Sequence, residues 1–281
     1  MRVRLVGTEN CDRHCNAKMI DLHNHILPGI DDGARDMDEA LEMARMAVEQ
    51  GFSGIVATPH YGSSQFFSDI NRVREVVREL NQELIAQNIS LTIFPGMEAR
   101  LTADLLGRLS EGTILTINEG RHILLELPAM QAPAGFENFV RMLLNSGKRI
   151  VLAHPEKNIE IQRRPEIIYE LLTLFKPGEF LVQITADSIT GDAGQSALIT
   201  AKYLLENDLA HILATDAHSP TERPPMISSA LKVAASIVGK DRADKMTLEW
   251  PRAVINGENA HWNLAPRKPQ KTKRRLRFFF K

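Results

Sequence analysis

The sequence predicts a single α/β domain with a parallel barrel, and three observations predict it. Short apolar runs alternate with amphipathic stretches along the 281 residues, the pattern of strands buried beneath helices. Six or seven such units occur, which suggests a barrel rather than an open sheet. No internal repeat or low-complexity linker divides the chain, and one α/β barrel commonly takes about 250 residues.

The elements follow in order. Ile20 to His25 reads as a strand. Asp36 caps a helix with Glu39 as capping-box partner; Ala40, Ala44, Ala47 and Val48 form its buried stripe and Gly51 ends it. Gly54 to Thr58 is a second strand. Ile70, Val73, Val77, Leu80 and Leu84 mark a helix from about Ser68 to Gln87, packed on the sheet. Leu91 to Phe94 is the third strand. Two apolar runs, Ile114 to Ile117 and His122 to Leu127, flank Asn-Glu-Gly and read as a hairpin-like connection. Helices at Gly135–Ser146, Pro165–Phe175 and Ala193–Glu206 precede strands at Arg149–His154, Phe180–Thr185 and Ala210–Thr215. Helices at Pro225–Val238 and Ala243–Glu249 close the body.

Charge is unevenly placed. Net charge is −1, but residues 267–281 hold eight Lys or Arg and no acid. The remaining body carries 26 basic and 35 acidic side chains, net −9, which argues against a general nucleic-acid partner and suits a site that gathers divalent cations. Aromatics are only 6%, too few for base-stacking platforms. No apolar run approaches the 18 or so residues of a membrane span. The two cysteines, Cys11 and Cys15, precede the first strand and form no disulfide framework, so a reducing, cytoplasmic setting is expected. Residues 1–18 lack the apolar core of a secretory signal and read as a loose leader.

Chemistry gathers at strand ends. Of nine histidines, His23, His25, His60, His154 and His218 fall at or just beyond the C-terminal ends of predicted strands, the face where α/β barrels build active sites. Asp32, Glu98, Glu126 and Asp216 join them. His23 and His25 alternate along a strand and point to one face. Two adjacent buried imidazoles cannot both be protonated cheaply, and a shared metal resolves the conflict. His122 and His211 start apolar runs at the opposite strand ends, and they read as structural or solvated, as do His14 and His261 in the terminal segments.

Met19-Ile-Asp-Leu-His-Asn-His25, Asp31-Asp-Gly33, Ala57-Thr-Pro-His-Tyr61, Pro95-Gly-Met-Glu98, Ala153-His-Pro-Glu156 and Thr215-Asp-Ala-His218 resemble the PHP (polymerase and histidinol phosphatase) superfamily. Asp-Asp-Gly and the Arg-Pro-Pro at 223–225 mark its CpsB/CapC branch, the manganese-dependent tyrosine phosphatases of bacterial capsule and exopolysaccharide operons. The resemblance spans about residues 19–262, with residues 263–281 as a basic, aromatic tail. It implies a distorted (β/α)7 TIM-like barrel of the PHP type with three divalent metal ions, manganese favoured over iron or zinc. By motif, His23, His25, Glu98 and Asp216 would hold one metal. Glu98, Glu126 and His154 would hold the second, and Asp32, His60 and His218 the third. Paired metals would clamp a phosphate monoester while a bridging water is deprotonated for attack.

Arg223 matches a family arginine expected to bind phosphate. Lys157 stands where relatives usually carry the other; it keeps the charge but loses the two-oxygen fork. The resemblance also implies a partner, the phosphorylated tail of a tyrosine autokinase acting as polysaccharide co-polymerase. The basic tail with Phe278, Phe279 and Phe280 suits peripheral contact with an anionic membrane, at about 1 kcal/mol per basic residue. A small-molecule phosphatase such as histidinol phosphatase is the enzyme alternative, and a non-catalytic regulatory module the other.

Overall fold

Residues 19–62, 68–258 and 265–268 are described in a computed structural model of the chain. β1 (Met19–Asn24) leads to α1 (Met37–Glu49). The Asp36 carboxylate accepts from the Glu39 N–H at 3.0 Å, as expected of an N-cap. The return arm of the box lands one residue early, with Glu39 accepting from the Arg35 N–H at 2.8 Å. β2 (Phe52–Ala57) and the two-residue β3 (His60–Tyr61) precede α2 (Ile70–Ala86). Asp69 caps α2 by accepting from the Asn71 and Arg72 N–H groups, and Val73, Val77, Leu80 and Leu84 are buried.

β4 (Thr92–Pro95), β5 (Glu98–Arg100), α3 (Leu105–Ser110) and β6 (His122–Glu126) come next. α4 (Phe136–Asn145), β7 (Arg149–Ala153), α5 (Ile159–Arg163) and α6 (Glu166–Leu174) precede β8 (Phe180–Thr185). α7 (Ala186–Thr190), α8 (Gln195–Glu206), β9 (Ile212–Ala214), α9 (Ser228–Val238), α10 (Lys240–Thr247) and α11 (Glu249–Asn256) complete the domain.

Every strand pair is parallel, as the apolar runs predict. The strands form two sheets, β1-β2-β4 and β3-β5-β6-β7-β8-β9, rather than one closed ladder. The sheets divide at Thr58-Pro59, between β2 and β3, and at Gly96-Met97, between β4 and β5. Beyond them, an isolated parallel bridge joins Asn24 to Ala217, supported by His25 N–H to Ala217 O at 2.8 Å. A single continuous core runs under both sheets, with Phe52, Phe94 and Phe180 among its largest buried side chains.

The expected hairpin before Leu127 does not form. β6 already pairs with β5 on one side and β7 on the other, so no edge is open to Ile114–Ile117. That run packs its apolar side chains into the core instead. It ends in a short 3-10 turn, Ile117–Glu119, where Asn118 and Glu119 have φ +48° and +52°. Asn118 Nδ2 then donates to Ile255 O at 3.0 Å, locking the turn onto α11.

His122 and His211 are buried, matching their structural reading. His211 Nδ1 accepts from the Val182 N–H at 3.2 Å. Burial, reinforced by Arg242, pushes its pKa down to about 3. An unfolded histidine titrates near 6.5, so this contribution is complete above that pH and is lost as pH falls toward 3. At pH 5 the expected loss is about 2 kcal/mol. Urea midpoints between pH 7 and 5 should fall less steeply for His211→Asn, whose Oδ1 can still accept from Val182.

At the far end of the described chain, Arg267 N–H donates to Asn207 O at 3.0 Å, and its guanidinium pairs with Asp208. Among the described residues no helix is long and apolar enough to cross a membrane. The leader with Cys11, His14 and Cys15, His261, and the tail beyond Lys268 lie outside the described residues.

Candidate metal centre

All nine predicted ligands converge on one rim, at or just past the C-terminal ends of β1, β2, β4, β6, β7 and β9. They fall into four overlapping groups whose ligand atoms lie within 4.8 Å of one another: His25, Asp32, His60, His218; His23, His154, Asp216; His23, His25, Glu98; and His60, Glu98, Glu126. The groups partly match the sequence allocation. Asp32, His60 and His218 stay together and gain His25. Glu98 and Glu126 meet His60 in their group, while His154 groups with His23 and Asp216 and also contacts Glu98 Oε1 at 2.8 Å.

The strands explain this convergence. His23 and His25 leave β1 on one face, and their Nε2 atoms lie 3.2 Å apart. His23 Nδ1 faces Gln183 Oε1 at 3.1 Å. The Gln183 amide nitrogen is already committed to Ile184 O, so Gln183 can only accept and His23 Nδ1 carries the proton. His25 Nδ1 likewise donates to Asp31 Oδ2 at 2.6 Å. With both Nδ1 atoms so engaged, the two Nε2 atoms turn toward each other and toward Asp216 Oδ1, at 3.3 and 3.5 Å. Burial opposes a charge on His25, but Asp31 and Asp216 hold its pKa well above the ordinary range, so the pair carries a proton that a cation would replace. A protein oxygen on the far ring nitrogen is the usual support of a histidine ligand. Buried His218 Nε2 also lacks a hydrogen-bond partner. The donor set therefore fits divalent metal ions of borderline hardness.

Electrostatics favour acceptor-only carboxylates at Asp216 and Glu98, whereas burial and the neighbouring Glu98 push the Glu126 carboxyl up. Burial would raise the Asp216 carboxyl, but His23 and Lys157 outweigh it and hold it well below the ordinary range. Burial also opposes ionisation of Glu98, and His23 with hydrogen bonds from neighbouring imidazoles reverses it. Glu98 overcomes burial at His154 and pulls that imidazole up to about 9. Metal loading must therefore displace a proton there.

Lys157 and Arg223 line the same cavity, of about 270 Å³, together with Asp32, His60, Glu126, His154, Asp216 and His218. Both cations rest on one carboxylate: Lys157 Nζ donates to Asp216 Oδ2 at 3.0 Å and Arg223 Nη2 to the same oxygen at 2.7 Å. Leu127, Ala129 and Ala153 give the cavity an apolar side.

Sequence reasoning missed three residues that support the ligands. Asp31, beside the predicted Asp32, holds His25 and also accepts from the His60 N–H at 3.0 Å. Gln183 orients His23. Asp21 accepts from the Thr215 N–H at 3.0 Å and its hydroxyl at 2.5 Å, tying β1 to the Asp216 loop. The first was legible as a repeated acid, and the other two lie inside apolar runs with no outward signal.

Gly33 has a steric reason. A Cβ there would sit 1.9 Å from His25 O and 2.6 Å from His25 Cβ. Gly33→Ala must move the His25 loop. The expected result is a drop of about 10²-fold in turnover, as for other ångström-scale misplacements, with lower metal content measured on the same sample.

Fold and basin together define a parallel α/β protein whose histidine and carboxylate cluster could hold divalent metal ions. Residues 19–256 match the family described as capsular polysaccharide synthesis, CpsB/CapC, and the chain belongs to that family. It is 34% identical over 262 residues to the tyrosine-protein phosphatase YwqE of Bacillus subtilis (strain 168), covering 93% of this chain and all of that one. Identity to the tyrosine-protein phosphatase CpsB of Streptococcus pneumoniae is 27% over 241 residues, covering 84% of this chain and 98% of the relative. A crystal structure from work on YwqE and CpsB, described as unique metal-dependent tyrosine phosphatases, superposes with TM-score 0.83 at 32% identity. The match covers 90% of this chain and 100% of the other.

Proposed function

We propose that this chain is a metal-dependent protein-tyrosine phosphatase acting on the phosphorylated tail of an autokinase that controls capsular or exopolysaccharide synthesis. One observation carries the reading: nine histidine and carboxylate side chains gather into overlapping ligand groups, and six of them line one cavity with Lys157 and Arg223. His23, His25, Asp32, His60, Glu98, Glu126, His154, Asp216 and His218 would hold three divalent ions, manganese favoured by the family. Bound there, such ions supply charge neutralisation of a phosphate dianion and a nucleophilic water at neutral pH.

The chain's own residues supply the rest. Arg223 and Lys157 bind phosphoryl oxygens. Leu127, Ala129 and Ala153 receive the aryl ring. Asp31, Gln183 and Asp21 keep the imidazoles in register. Tyrosinate, with parent pKa about 10, leaves with little help from a general acid.

The catalytic unit is residues 19–262, acting in the cytoplasm. Its two sheets read as seven positions around a distorted (β/α)7 barrel if β2 with β3 and β4 with β5 each count once. The Asn24–Ala217 bridge supports closure between the first and last positions. The basic tail gives peripheral membrane contact.

The deciding experiment is phosphate release by stripped, manganese-reloaded protein from a phosphotyrosyl peptide, a phosphoseryl peptide and histidinol phosphate. Preference for the phosphotyrosyl peptide is expected. Preference for histidinol phosphate would move the protein into small-molecule metabolism, and no turnover with metals bound would overturn the enzyme reading.

Lys157→Arg restores a planar fork at the phosphate. Expected is a rise in kcat/KM of roughly three- to tenfold, the scale of one added hydrogen bond of about 1 kcal/mol net. Unchanged kinetics would remove Lys157 from phosphate binding.

A further inference from the structure

β8 stands apart at the ligand rim. Every other position around the sheets brings a predicted ligand to the rim: His23 on β1 and His25 just after it, His60 at the start of β3 after β2, Glu98 at the start of β5 after β4, Glu126 at the end of β6, His154 after β7 and Asp216 after β9. β8 ends in Thr185, and two residues later Asp187 sits in the first turn of α7. No motif singled it out.

Asp187 touches the phosphate-binding cation. Its Oδ2 accepts from Lys157 Nζ at 2.9 Å, while Asp216 Oδ2 accepts from the same ammonium at 3.0 Å. Its other oxygen accepts from the Thr185 hydroxyl. The Thr185 N–H is in turn bound by buried Glu156 at 2.9 Å. Asp187 is thus held from β8 and from the segment that carries Lys157.

An ammonium has three N–H groups on a flexible four-carbon stem. Two carboxylates take two of them and leave one. An arginine would be ordered by its own planar fork. A lysine at this place needs an outside anchor. We propose that Asp187 is a positioning residue for phosphate binding: it clamps Lys157 beside Asp216 so that the remaining N–H meets a phosphoryl oxygen. The inference rests on the phosphatase reading for its substrate, but phosphate affinity tests it separately.

Asp187→Asn keeps the shape and an acceptor for Thr185 while removing the charge. Four manganese-loaded proteins decide the matter: wild type, Asp187→Asn, Lys157→Met and the double variant. Inorganic phosphate binding is measured by calorimetry, alongside kcat, KM and melting temperature. Asp187→Asn should weaken phosphate binding and raise KM for a phosphotyrosyl peptide about tenfold, the size of one charge-assisted contact. It should leave kcat within about threefold if the loss is uniform binding. In the Lys157→Met background the same change should do nothing more, because residues acting through one contact are non-additive. Asp187→Glu should recover part of the affinity and serves as the second variant if Asp187→Asn melts early. Equal losses with and without Lys157, or no loss at all, would overturn the proposal. A wild type that binds phosphate but hydrolyses no phosphotyrosyl peptide would sink the phosphatase reading, while the phosphate affinities still judge Asp187.

Discussion

Glu98→Gln is expected to lower kcat/KM on a phosphotyrosyl peptide by about 10³-fold, because removing one partner of a buried charged cluster costs about 3–5 kcal/mol and each 1.36 kcal/mol is tenfold. Glu98 is fully buried, and four imidazoles surround its carboxylate. His154 Nε2 and His60 Nδ1 lie at 2.8 Å, His23 Nε2 at 3.5 Å and His25 Nε2 at 3.6 Å. It belongs to two of the four ligand groups. Glutamine would turn an amide N–H toward imidazole nitrogens that need a cation or a lone-pair acceptor. Metal per chain, measured by elemental analysis after reloading, should fall together with turnover. Unchanged metal content with full activity would remove Glu98 from the centre.

Asp21→Ala should cost about 3–5 kcal/mol of stability, since buried donors left unpaired cost about 1–3 kcal/mol each. Asp21 is fully buried and gathers donors from β1 and from the segment after β9. It accepts from the Thr215 N–H and hydroxyl and, at 3.0 Å, from Asn24 Nδ2. The alanine variant leaves these in the core without water. For a domain of this size the melting temperature should drop by roughly 10 °C. Because the same bonds hold the Asp216 loop against β1, metal affinity should weaken as well. A melting temperature within 2–3 °C of wild type, the shift expected for about 1 kcal/mol, would show that the network carries little.

Most of the candidate ligands were legible because His23, His25, His60, Glu126, His154 and Asp216 are polar breaks at or near the ends of apolar runs, and β8 matched the expected Phe180–Thr185. The short strands were not. β3 and β5 hold two and three residues, below any detectable period. α11 was missed as well. Its Pro251 sits in the first turn, where a missing N–H costs nothing. Asp31 and Asp32 are chemically identical in sequence. Only position separates them: Asp31 points back to His25 Nδ1, while Asp32 Oδ1 lies 3.5 Å from His60 and 3.7 Å from His218. Which imidazole meets which carboxylate depends on how strands from distant segments are staggered, as where His154 Nε2 meets Glu98 Oε1 at 2.8 Å. The Ile114–Ile117 hairpin failed for a related reason: local apolarity cannot report that both neighbours of β6 are already taken.

The hold on Arg267 sets a compass direction for the molecule. Asn207 and Asp208 lie in the turn that enters β9, at the sheet end opposite the ligand basin. Arg267 is therefore anchored at the end of the sheet opposite the basin. If residues around this anchor face an anionic lipid surface, the basin looks away from the bilayer rather than down onto it. A phosphotyrosine close to the membrane would then be out of sight, and one on a long tethered tail could swing up to meet it. Shortening that tether while keeping its tyrosines should slow dephosphorylation at a vesicle surface and leave it unchanged in solution.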